Sequence, residues 1–402
     1  MKLAILTQYF YPETGAPQNR LYELSKIFRE FGWETEVFTS MPNYPKGKIF
    51  PGYRWKLFKK DNTDGINISR FWIFASNSSK KIPRIVSMIS FSVTSLLGYF
   101  RLRKFKPDFI FTESPPLTLA FSGYLLSRMT GAKLIMNVSD IWPLSAKELG
   151  AVSEGGFYDK LESFEKFLYG NSFLCTGQSE EIINHIKLSG DFNTYLFRNG
   201  VDINRFSKPV SGHYQGSKVK IVYAGLLGVA QGILDIIRNI SFDELNAELH
   251  IYGEGSEKNA VKEFVSSNPE RGVILHNSVS SSEIPEILRQ YHLALIPLVK
   301  NIYGAVPSKI YEAMAAGLPV LFSGSGEGAR IINGNKAGLV SPPKDFKKLA
   351  ENILSLSKSN ELRNEMSANG RRAAEEKYDR NILIKNFSDK LISCADIKEN
   401  LI

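Results

Sequence analysis

The apolar positions of the chain form short strand-like runs separated by stretches with helical spacing. The first half predicts strands at 3–6, 36–40, 107–113, 133–138 and 172–176. Between the first two, apolar residues at helical spacing predict a helix over 19–31, which ends before Gly32. The order strand, loop, helix, strand is the opening of a doubly wound α/β domain. Ligands of such domains bind at the carboxyl ends of the strands, so we expect the functional loops there.

The second half of the chain repeats this pattern. It predicts strands at 220–224, 248–252, 273–276 and 294–297 and a further one from 319, followed by helices at 346–356, 361–378 and 381–392. The basic, polar tract 207–218 between the halves is typical of a linker. We therefore predict an amino-terminal Rossmann-like domain (1–200), a linker (201–218), a second Rossmann-like domain (219–378) and a final helical segment (379–402).

Composition narrows the class of protein and of partner. With 43% hydrophobic and 23% charged residues, the 402-residue chain is globular and long enough for two or three domains. Its net charge of +9 favours an anionic partner: a nucleoside diphosphate, an acidic lipid or a nucleic acid. Nucleic acid ranks last, because we find no helix-turn-helix, zinc-finger or aromatic RNA-binding motif. Cys175 and Cys394 fit no metal or redox pattern, in keeping with a reducing cytoplasm.

The most apolar stretch of the chain, 85–100, has basic residues on both sides. They are Lys80, Lys81 and Arg84 before it, and Arg101, Arg103, Lys104 and Lys106 after it. The stretch is shorter than the roughly 20 residues of a transmembrane helix, and serines interrupt it. An apolar segment with basic flanks predicts a contact with a membrane surface. The alternative is a helix packed on the sheet with its basic ends in water, and the two interpretations are compatible.

The segment 306–321 carries the candidate chemistry of the second half. Pro307 suits the first turn of a helix, and Gly317 suits its end. A helix N-terminus presents N–H groups and partial positive charge to a phosphate, and Lys309 adds a full charge there. Glu312, one turn further on, could accept hydrogen bonds from ribose hydroxyls. The alternative is an ordinary surface helix with a lysine and a glutamate.

The sequence Pro307-Ser308-Lys309-Ile310-Tyr311-Glu312 resembles the donor-binding helix of family-4 glycosyltransferases. Its P-S-K-x-x-E form is similar to a bacterial O-antigen and capsule subgroup that includes N-acetyl-L-fucosaminyltransferases. The resemblance implies that all of these residues except Tyr311 bind the donor. In the family another glutamate stands eight residues before the helix glutamate, and here that position is Gly304.

Pieces of the first half resemble the amino-terminal domain of the same family. They are Phe10–Ala16, Met41–Gly47, Ser114-Pro115-Pro116 and Asp140-Ile141-Trp142-Pro143. The resemblance implies that Gly15 and Ala16 lie near the donor, and that Glu13, Asn19 and Trp142 lie on the acceptor side. Relatives carry His-Asp or His-Glu where this chain has Ser139-Asp140, so a histidine role is absent. From spacing alone Asp140 is equally well a cap or turn residue.

Two further loops resemble the donor half of the family. Gly225-Leu226-Leu227-Gly228 with Gln231 corresponds to a loop where relatives often carry an arginine and a lysine that clamp the diphosphate. Leu226 and Gln231 stand at those positions here, and backbone amides near Gly228 together with Lys309 could substitute in part. The loop Gly253-Glu254-Gly255 matches the family's G-x-G near the nucleotide.

The pieces occur in family order along nearly the whole chain. The resemblance implies the α/β GT-B fold, in which two Rossmann-like domains face each other across a cleft and the last helix crosses back. It also implies retaining transfer of a sugar, with N-acetyl-L-fucosamine or a related amino sugar as the candidate, from a UDP-sugar to a polyprenyl-diphosphate-linked sugar. That acceptor would place the chain on the cytoplasmic face of the inner membrane.

The sequence predicts two catalytic residues and leaves two other functions open. Asp140 and Lys309 are the candidate catalytic residues. No D-x-D pair is present, so we expect no required metal. We also expect no cofactor. Two alternatives stay open: a nonhydrolysing UDP-sugar 2-epimerase, which shares the fold, and a non-catalytic membrane scaffold with a decayed donor site. The substitutions at Gly304, Leu226 and Gln231 motivate the second alternative.

Overall fold

A computed structural model describes residues 1–78, 80–148, 153–207 and 218–396. The chain divides into two compact units. The first unit consists of Met1–Arg198 and Ile384–Ile402, and the second of Asn199–Leu383. Of the predicted linker 201–218, residues 208–217 lie outside the described residues, as do residues 397–402 of the predicted final segment.

The first unit is an eight-stranded sheet with helices on it. Its strands are β1 (Lys2–Thr7), β2 (Glu34–Ser40), β3 (Phe58–Thr63), β4 (Ile66–Phe71), β5 (Phe109–Ser114), β6 (Lys133–Val138), β7 (Leu174–Gly177) and β8 (Thr194–Leu196). Its helices are α1 (Ala16–Glu30), α2 (Lys81–Ser95), α3 (Tyr99–Phe105), α4 (Leu117–Thr130), α5 (Leu144–Glu148), α6 (Gly156–Gly170) and α7 (Glu180–Ser189). The strand order is β3-β4-β2-β1-β5-β6-β7-β8. Only β3 runs antiparallel to its neighbour, so the carboxyl ends of the other strands share one edge.

The hairpin of β3 and β4 has no counterpart in the sequence prediction. Strand β3 is the edge of the sheet, and its sequence Phe-Lys-Lys-Asp-Asn-Thr alternates exposed and half-buried positions. A polar edge strand carries little apolar signal, because only one of its sides is paired.

Helix α2, a short 3₁₀ turn and α3 form one helical stretch, Lys81–Phe105. The predicted apolar segment 85–100 lies inside it. The basic flanks extend the helix at both ends, and Lys80 and Lys106 are its caps. At 25 residues the stretch is long and apolar enough to cross a membrane, which the apolar segment alone is not. Its most apolar window is 33% buried, and the rest of that window is half-buried or exposed. No second helix of this kind occurs in the described ranges.

The second unit is a six-stranded parallel sheet. Its strands are β9 (Val219–Ala224), β10 (Ala247–Tyr252), β11 (Val273–His276), β12 (Leu293–Pro297), β13 (Val320–Ser323) and β14 (Gly338–Ser341). Its helices are α8 (Ile233–Asn239), α9 (Lys258–Ser267), α10 (Ile284–Leu288), α11 (Ser308–Ala315), α12 (Gly326–Gly334), α13 (Phe346–Lys358) and α14 (Asn360–Lys377). The strand order β11-β10-β9-β12-β13-β14 reverses direction beside β9. That reversal is where a doubly wound sheet opens a crevice for a ligand.

The last helix, α15 (Arg380–Asp396), leaves the second unit after Leu383 and ends in the first. Within the first unit Phe387 is fully buried, with its ring centroid 4.4 Å from that of Phe197 and 6.1 Å from that of Phe28. The indole Nε1 of Trp33 donates a hydrogen bond of 2.8 Å to Ser388 Oγ. These contacts make the carboxyl-terminal helix part of the amino-terminal core.

Candidate active site

In the second unit, two glycine loops meet at the carboxyl ends of the neighbouring strands β9 and β10. Gly225 N donates to Tyr252 O at 2.8 Å, and Leu227 N donates to Glu254 O at 2.8 Å. A side chain at Gly253 would collide with Gly225 O, and one at Gly255 would collide with Leu227 O. The sequence therefore needs glycine here because the two backbones touch. The result is a compact floor made of main chain.

Helix α11 begins beside this floor and ends at Ala315. Pro307 does not lie within its first turn as predicted; it is the capping residue, with φ −61° and ψ 122°, and Ser308 is the first helical residue. Proline favours this position because its fixed φ suits an extended residue just before a helix. The Ile310 side chain is fully buried in the core of the unit, so only its backbone is available to a ligand. Gly317, with φ 68°, closes the helix as predicted.

Lys309 reaches from α11 back to the loop after β9. Its Nζ occupies the space beside Gly225 and lies 5.0 Å from the centroid of the Tyr223 ring. Burial lowers the pKa of Lys309, and the charge of Glu312 opposes that shift. Burial raises the pKa of Glu312, while Lys309 and Arg205 oppose it. In the described part of the chain no carboxylate forms an ion pair with Lys309, so its charge is available to an anion.

Gly304 stands where the resembled family has its first glutamate. It is buried and has φ 89°, a left-handed conformation that favours glycine over other residues. The backbone itself is therefore built for glycine at this position. Residue 304 therefore differs from the family pattern in its backbone conformation as well as in lacking the glutamate side chain.

The positions of the family's basic pair hold no charge. Leu226 is 66% exposed, whereas the next residue, Leu227, is fully buried in the core. Gln231 N donates to Gly228 O at 3.0 Å, which closes the turn before α8. A nearby cation that the sequence prediction missed is Lys258, which pairs with Glu254 four residues earlier. That pairing lowers the pKa of Glu254 and occupies its carboxylate.

In the first unit, a polar cluster lies at the carboxyl ends of β5 and β6. Glu113, the central member, is buried and pairs with Arg20 of α1. Ser139 Oγ donates to Glu113 Oε2 at 2.7 Å, and Asn137 Nδ2 donates to Glu113 Oε1 at 3.0 Å. Arg20 also donates to Ser139 Oγ at 3.1 Å. Asn137 Nδ2 donates to Ser139 Oγ at 3.1 Å, so three side chains hold Ser139, the residue before Asp140.

Asp140 is exposed to solvent at the end of this cluster. The pKa of Asp140 is raised to about 6. The larger cause is the loss of hydration next to the surrounding protein, and the second is repulsion from the Glu113 carboxylate. The positive charge of Arg20 opposes this shift. A carboxylate with this pKa changes its protonation state close to neutral pH. It can orient a hydroxyl or accept its proton.

Glu13 ties two loops together. Its Oε1 accepts hydrogen bonds from the backbone amides of Asn43 at 2.6 Å and Tyr44 at 2.8 Å, and its Oε2 accepts one from Phe10 N at 3.1 Å. The side chain is buried, which raises the pKa of Glu13 to about 7 although the three amide hydrogen bonds oppose the shift. Its contacts position the loops 10–16 and 41–47, the two pieces that the resemblance singled out.

The remaining predicted residues of the first unit lie near the start of α1 or after β6. Gly15 caps α1 and Ala16 begins it. A side chain at Gly15 would meet Gln18 Oε1. Asn19 is exposed on the same helix, and Trp142 is half-buried. Neither joins the Glu113 cluster.

Besides Lys258 in the second unit, two residues of the polar cluster in the first unit were missed by the sequence prediction. Glu113 lies at the carboxyl end of a central strand, the same signal that selected Asp140, and could have been found by it. Arg20 gives no such signal, because its partner is 93 residues away in sequence. Over the described ranges, no group of three or more His, Cys, Asp or Glu side chains is arranged to hold a metal ion.

Residues 205–373 match the family model described as Glycosyl transferases group 1. Over 335 residues the chain is 23% identical to the Escherichia coli (strain K12) protein WcaI, named as a glycosyl transferase of colanic acid biosynthesis; the match covers 79% of this chain and 82% of that protein. Sucrose-phosphate synthase from Thermosynechococcus elongatus has a similar structure, with a TM-score of 0.74 and 14% identity over 98% of this chain and 99% of that one. The chain has the GT-B fold. The fold class predicted from the sequence is confirmed.

A second solved structure has the same fold. Anabaena HepE, determined in complex with UDP and glucose, gives a TM-score of 0.67 at 15% identity over 98% of this chain and 100% of that one. The family match, residues 205–373, covers most of the second unit, including the Gly225 loop and α11.

Proposed function

We propose that this chain is a retaining glycosyltransferase of surface-polysaccharide synthesis, which transfers a sugar from a UDP-sugar to a polyprenyl-diphosphate-linked sugar. The observation that carries the proposal is the placement of Lys309 over the Gly225 loop, with Glu312 one turn further along α11. The group 1 match of residues 205–373 and the similarity to WcaI support glycosyl transfer from a nucleotide sugar. HepE, with the same fold, is a UDP complex.

The donor role of the second unit follows from charge. A diphosphate beside the Gly225 loop meets the Lys309 ammonium, main-chain N–H groups and the N-terminus of α11. Restoring a counter-charge to a half-buried lysine is favourable, since burial alone disfavours its charged form. Glu312 then accepts hydrogen bonds from the ribose. These contacts stabilise the negative charge that grows on the leaving diphosphate.

The acceptor role falls to the first unit. Asp140 orients the attacking hydroxyl or accepts its proton, and the Glu113 cluster positions the strand end that carries it. No protein nucleophile is needed if the hydroxyl attacks on the side from which the diphosphate leaves, and the departing phosphate can take the proton instead. Retention of configuration follows from that geometry.

A membrane location is part of the proposal, because helix α2 and α3 present an apolar face outward. The exposed apolar residues of this face, named here the aliphatic stripe, are Ile82, Ile85, Val86, Ile89, Val93, Leu97 and Phe100. The inward face carries the fully buried Phe91 and several serines: Ser92 Oγ donates to Thr118 Oγ1 at 2.9 Å, and Ser122 Oγ of α4 donates to Ser92 O at 2.7 Å. An exposed apolar stripe flanked by basic residues is typical of helices that lie on anionic membranes.

The test is a donor screen with a lipid-diphosphate acceptor and mass detection of products. The donors include UDP-N-acetyl-L-fucosamine and related UDP-amino sugars, and nuclear magnetic resonance of the product reports whether configuration is retained. We expect one sugar to be added, with retention, and UDP to be released. Conversion of a UDP-sugar without acceptor would instead identify an epimerase. Absence of UDP binding in calorimetry would identify a scaffold.

A further inference from the structure

A groove of about 650 Å³ lies between the edge strand β3 and helix α3, entirely within the first unit. Its floor and walls are apolar: Phe58, Phe71, Leu97 and Phe100. Phe71 is buried, with its ring centroid 5.3 Å from that of Phe58 and 6.4 Å from that of Phe38. Phe58, Leu97 and Phe100 are exposed. The floor is therefore part of the core, while the walls are apolar surface in contact with water.

The rim of the groove is basic. Lys60, Arg103 and Lys104 are exposed, and within the described ranges no carboxylate forms an ion pair with any of them. Arg101 differs, because its Nε donates to Glu36 Oε1 at 2.6 Å and its charge is partly compensated. Three uncompensated positive charges surround an apolar cavity. This combination matches an amphiphile with a negative head and a hydrocarbon chain.

The groove is separate from the proposed reacting site. Strand β3 lies four strands from β5 in the order of the sheet, which at about 4.8 Å per strand is a distance of about 19 Å. Asp140 follows β6, one strand further on. The groove does adjoin the aliphatic stripe, since Leu97 and Phe100 belong to both. Its occupant therefore comes from the surface on which the stripe rests.

We infer that this groove binds one anionic phospholipid, with an acyl chain against Phe58, Phe71 and Phe100 and the phosphate held by Lys60, Arg103 and Lys104. The inference rests on the membrane location within the proposed function. It adds a defined lipid site, selective for charge, to a contact that the stripe alone would make without selectivity. Such a site anchors the first unit and fixes which side of α3 faces the bilayer.

The experiment uses short-chain lipids below their micelle concentration, so that binding to a single molecule is measured. Calorimetry with dihexanoyl phosphatidylglycerol is expected to give saturable one-to-one binding, and dihexanoyl phosphatidylcholine is expected to bind at least tenfold more weakly. Glycerol 3-phosphate, which has the charge without the chains, should bind at least tenfold more weakly too. Equal affinity for the two lipids, or for glycerol 3-phosphate, would overturn the inference.

Variants locate the binding. Phe100→Ser, and separately the pair Arg103→Ser with Lys104→Ser, should each lower phosphatidylglycerol affinity at least tenfold. The matched control, Lys160→Ser with Lys166→Ser, removes the same charge from exposed positions of α6 and should leave the affinity unchanged. All replaced side chains are exposed, and unchanged melting temperatures verify folding. If both groove variants bind phosphatidylglycerol with wild-type affinity, the groove is not the lipid site. If the control variant loses as much affinity as the groove variants, the binding reflects only the overall positive charge of the protein.

A parallel measurement separates this inference from the proposed function. UDP binding, measured on the same preparations, should be the same in the wild type and the groove variants. If UDP fails to bind while phosphatidylglycerol binds, the donor assignment is wrong and the lipid site stands. If UDP binds and phosphatidylglycerol does not, the lipid site is wrong and the donor assignment stands.

Discussion

The ammonium of Lys309 fills the space that a side chain at Gly225 would need. The two residues are 84 positions apart (309 − 225): Gly225 lies in the loop after β9, and Lys309 lies in the first turn of α11. The lack of a side chain at Gly225 lets the ammonium of Lys309 lie over the loop, and in the proposed function a phosphate would meet both. A small change at residue 225 should displace the charge without removing it.

We therefore expect Gly225→Ala to weaken UDP binding at least tenfold and uridine binding much less. The added methyl would overlap Nζ and push the ammonium away from the phosphates. Calorimetry with UDP and with uridine measures both effects. Gly334→Ala, at the end of α12 in the same unit, is the matched control, because its new Cβ would meet nothing within 4 Å. A control that weakens UDP as much as Gly225→Ala would contradict the role given to Lys309.

Lys309→Ala should weaken binding of a UDP-sugar far more than binding of uridine. The reason is that uridine has no phosphate for the ammonium to bind. Direct titration of the variant with both ligands gives the two ratios. Equal losses would place Lys309 away from the diphosphate.

Glu312→Ala should lower the affinity for UDP and for uridine alike, since both carry the ribose. The loss of a hydrogen bond to a charged group corresponds to roughly 1.5–3 kcal/mol of binding. Titration with uridine and with a 2′,3′-dideoxy analogue tests this, and the analogue should not distinguish the variant from the wild type. Unchanged affinity for uridine would remove Glu312 from the ribose site.

Asp140→Asn should keep UDP binding and lower transfer at least roughly tenfold, a floor below the usual contribution of a general base. Because the pKa of Asp140 is about 6, its carboxylate forms as the pH rises through 6, so wild-type turnover should rise over that interval. The rise should be absent in the variant. A purely structural Asp140 predicts the opposite, namely a lower melting temperature with near-normal turnover of the folded fraction.

The raised pKa of Asp140 also determines how the stability of the protein changes with pH. Its pKa in the folded state lies above the usual value of 3.8, so the stabilisation it contributes is present at low pH and is lost as the pH rises through about 6. Asp140→Asn removes that dependence. The fall in wild-type melting temperature between about pH 4 and pH 6, the interval between the usual and the raised pKa of Asp140, should therefore be smaller in the variant.

Wild-type protein should co-sediment with anionic vesicles, and salt should weaken the association. Ile89→Ser with Val93→Ser, both in the aliphatic stripe, should reduce co-sedimentation without lowering the melting temperature, because these side chains are exposed. Leu188→Ser on α7 is the control, as it removes an exposed leucine far from the stripe in sequence. Wild-type indifference to vesicles would refute the membrane location.

The strands with continuous apolar runs were predictable because burial on both faces leaves an unmistakable pattern. The hairpin of β3 and β4 was not, because an edge strand such as Phe58–Thr63 is paired on one side and carries polar residues. The sequence prediction singled out only residues 85–100 of the helical stretch Lys81–Phe105 for a related reason. The ends of this stretch are basic, so only its middle is apolar enough to stand out in the sequence.

At the site, Lys309, Glu312 and Asp140 could be predicted from the sequence, but the contacts of these residues could not. The motif around Lys309 and Glu312 was visible in the chain, but the approach of Lys309 to Gly225 depends on how two loops fold together. The sequence shows that Gly304 departs from the family, whereas only the backbone reveals a φ of 89° at that residue. Glu113 with Arg20 is a pair that no local pattern could join.

Serines and a threonine attach helix α2 to α4, while its aliphatic side chains point outward. The outward face can therefore be changed without disturbing the contacts between α2 and α4. The outward positions can be recoded with glutamine or lysine while the hydrogen bonds of Ser92 remain in place. Such a recoded chain should be purified without detergent and still turn over a water-soluble acceptor, which would make the chemistry accessible apart from the bilayer.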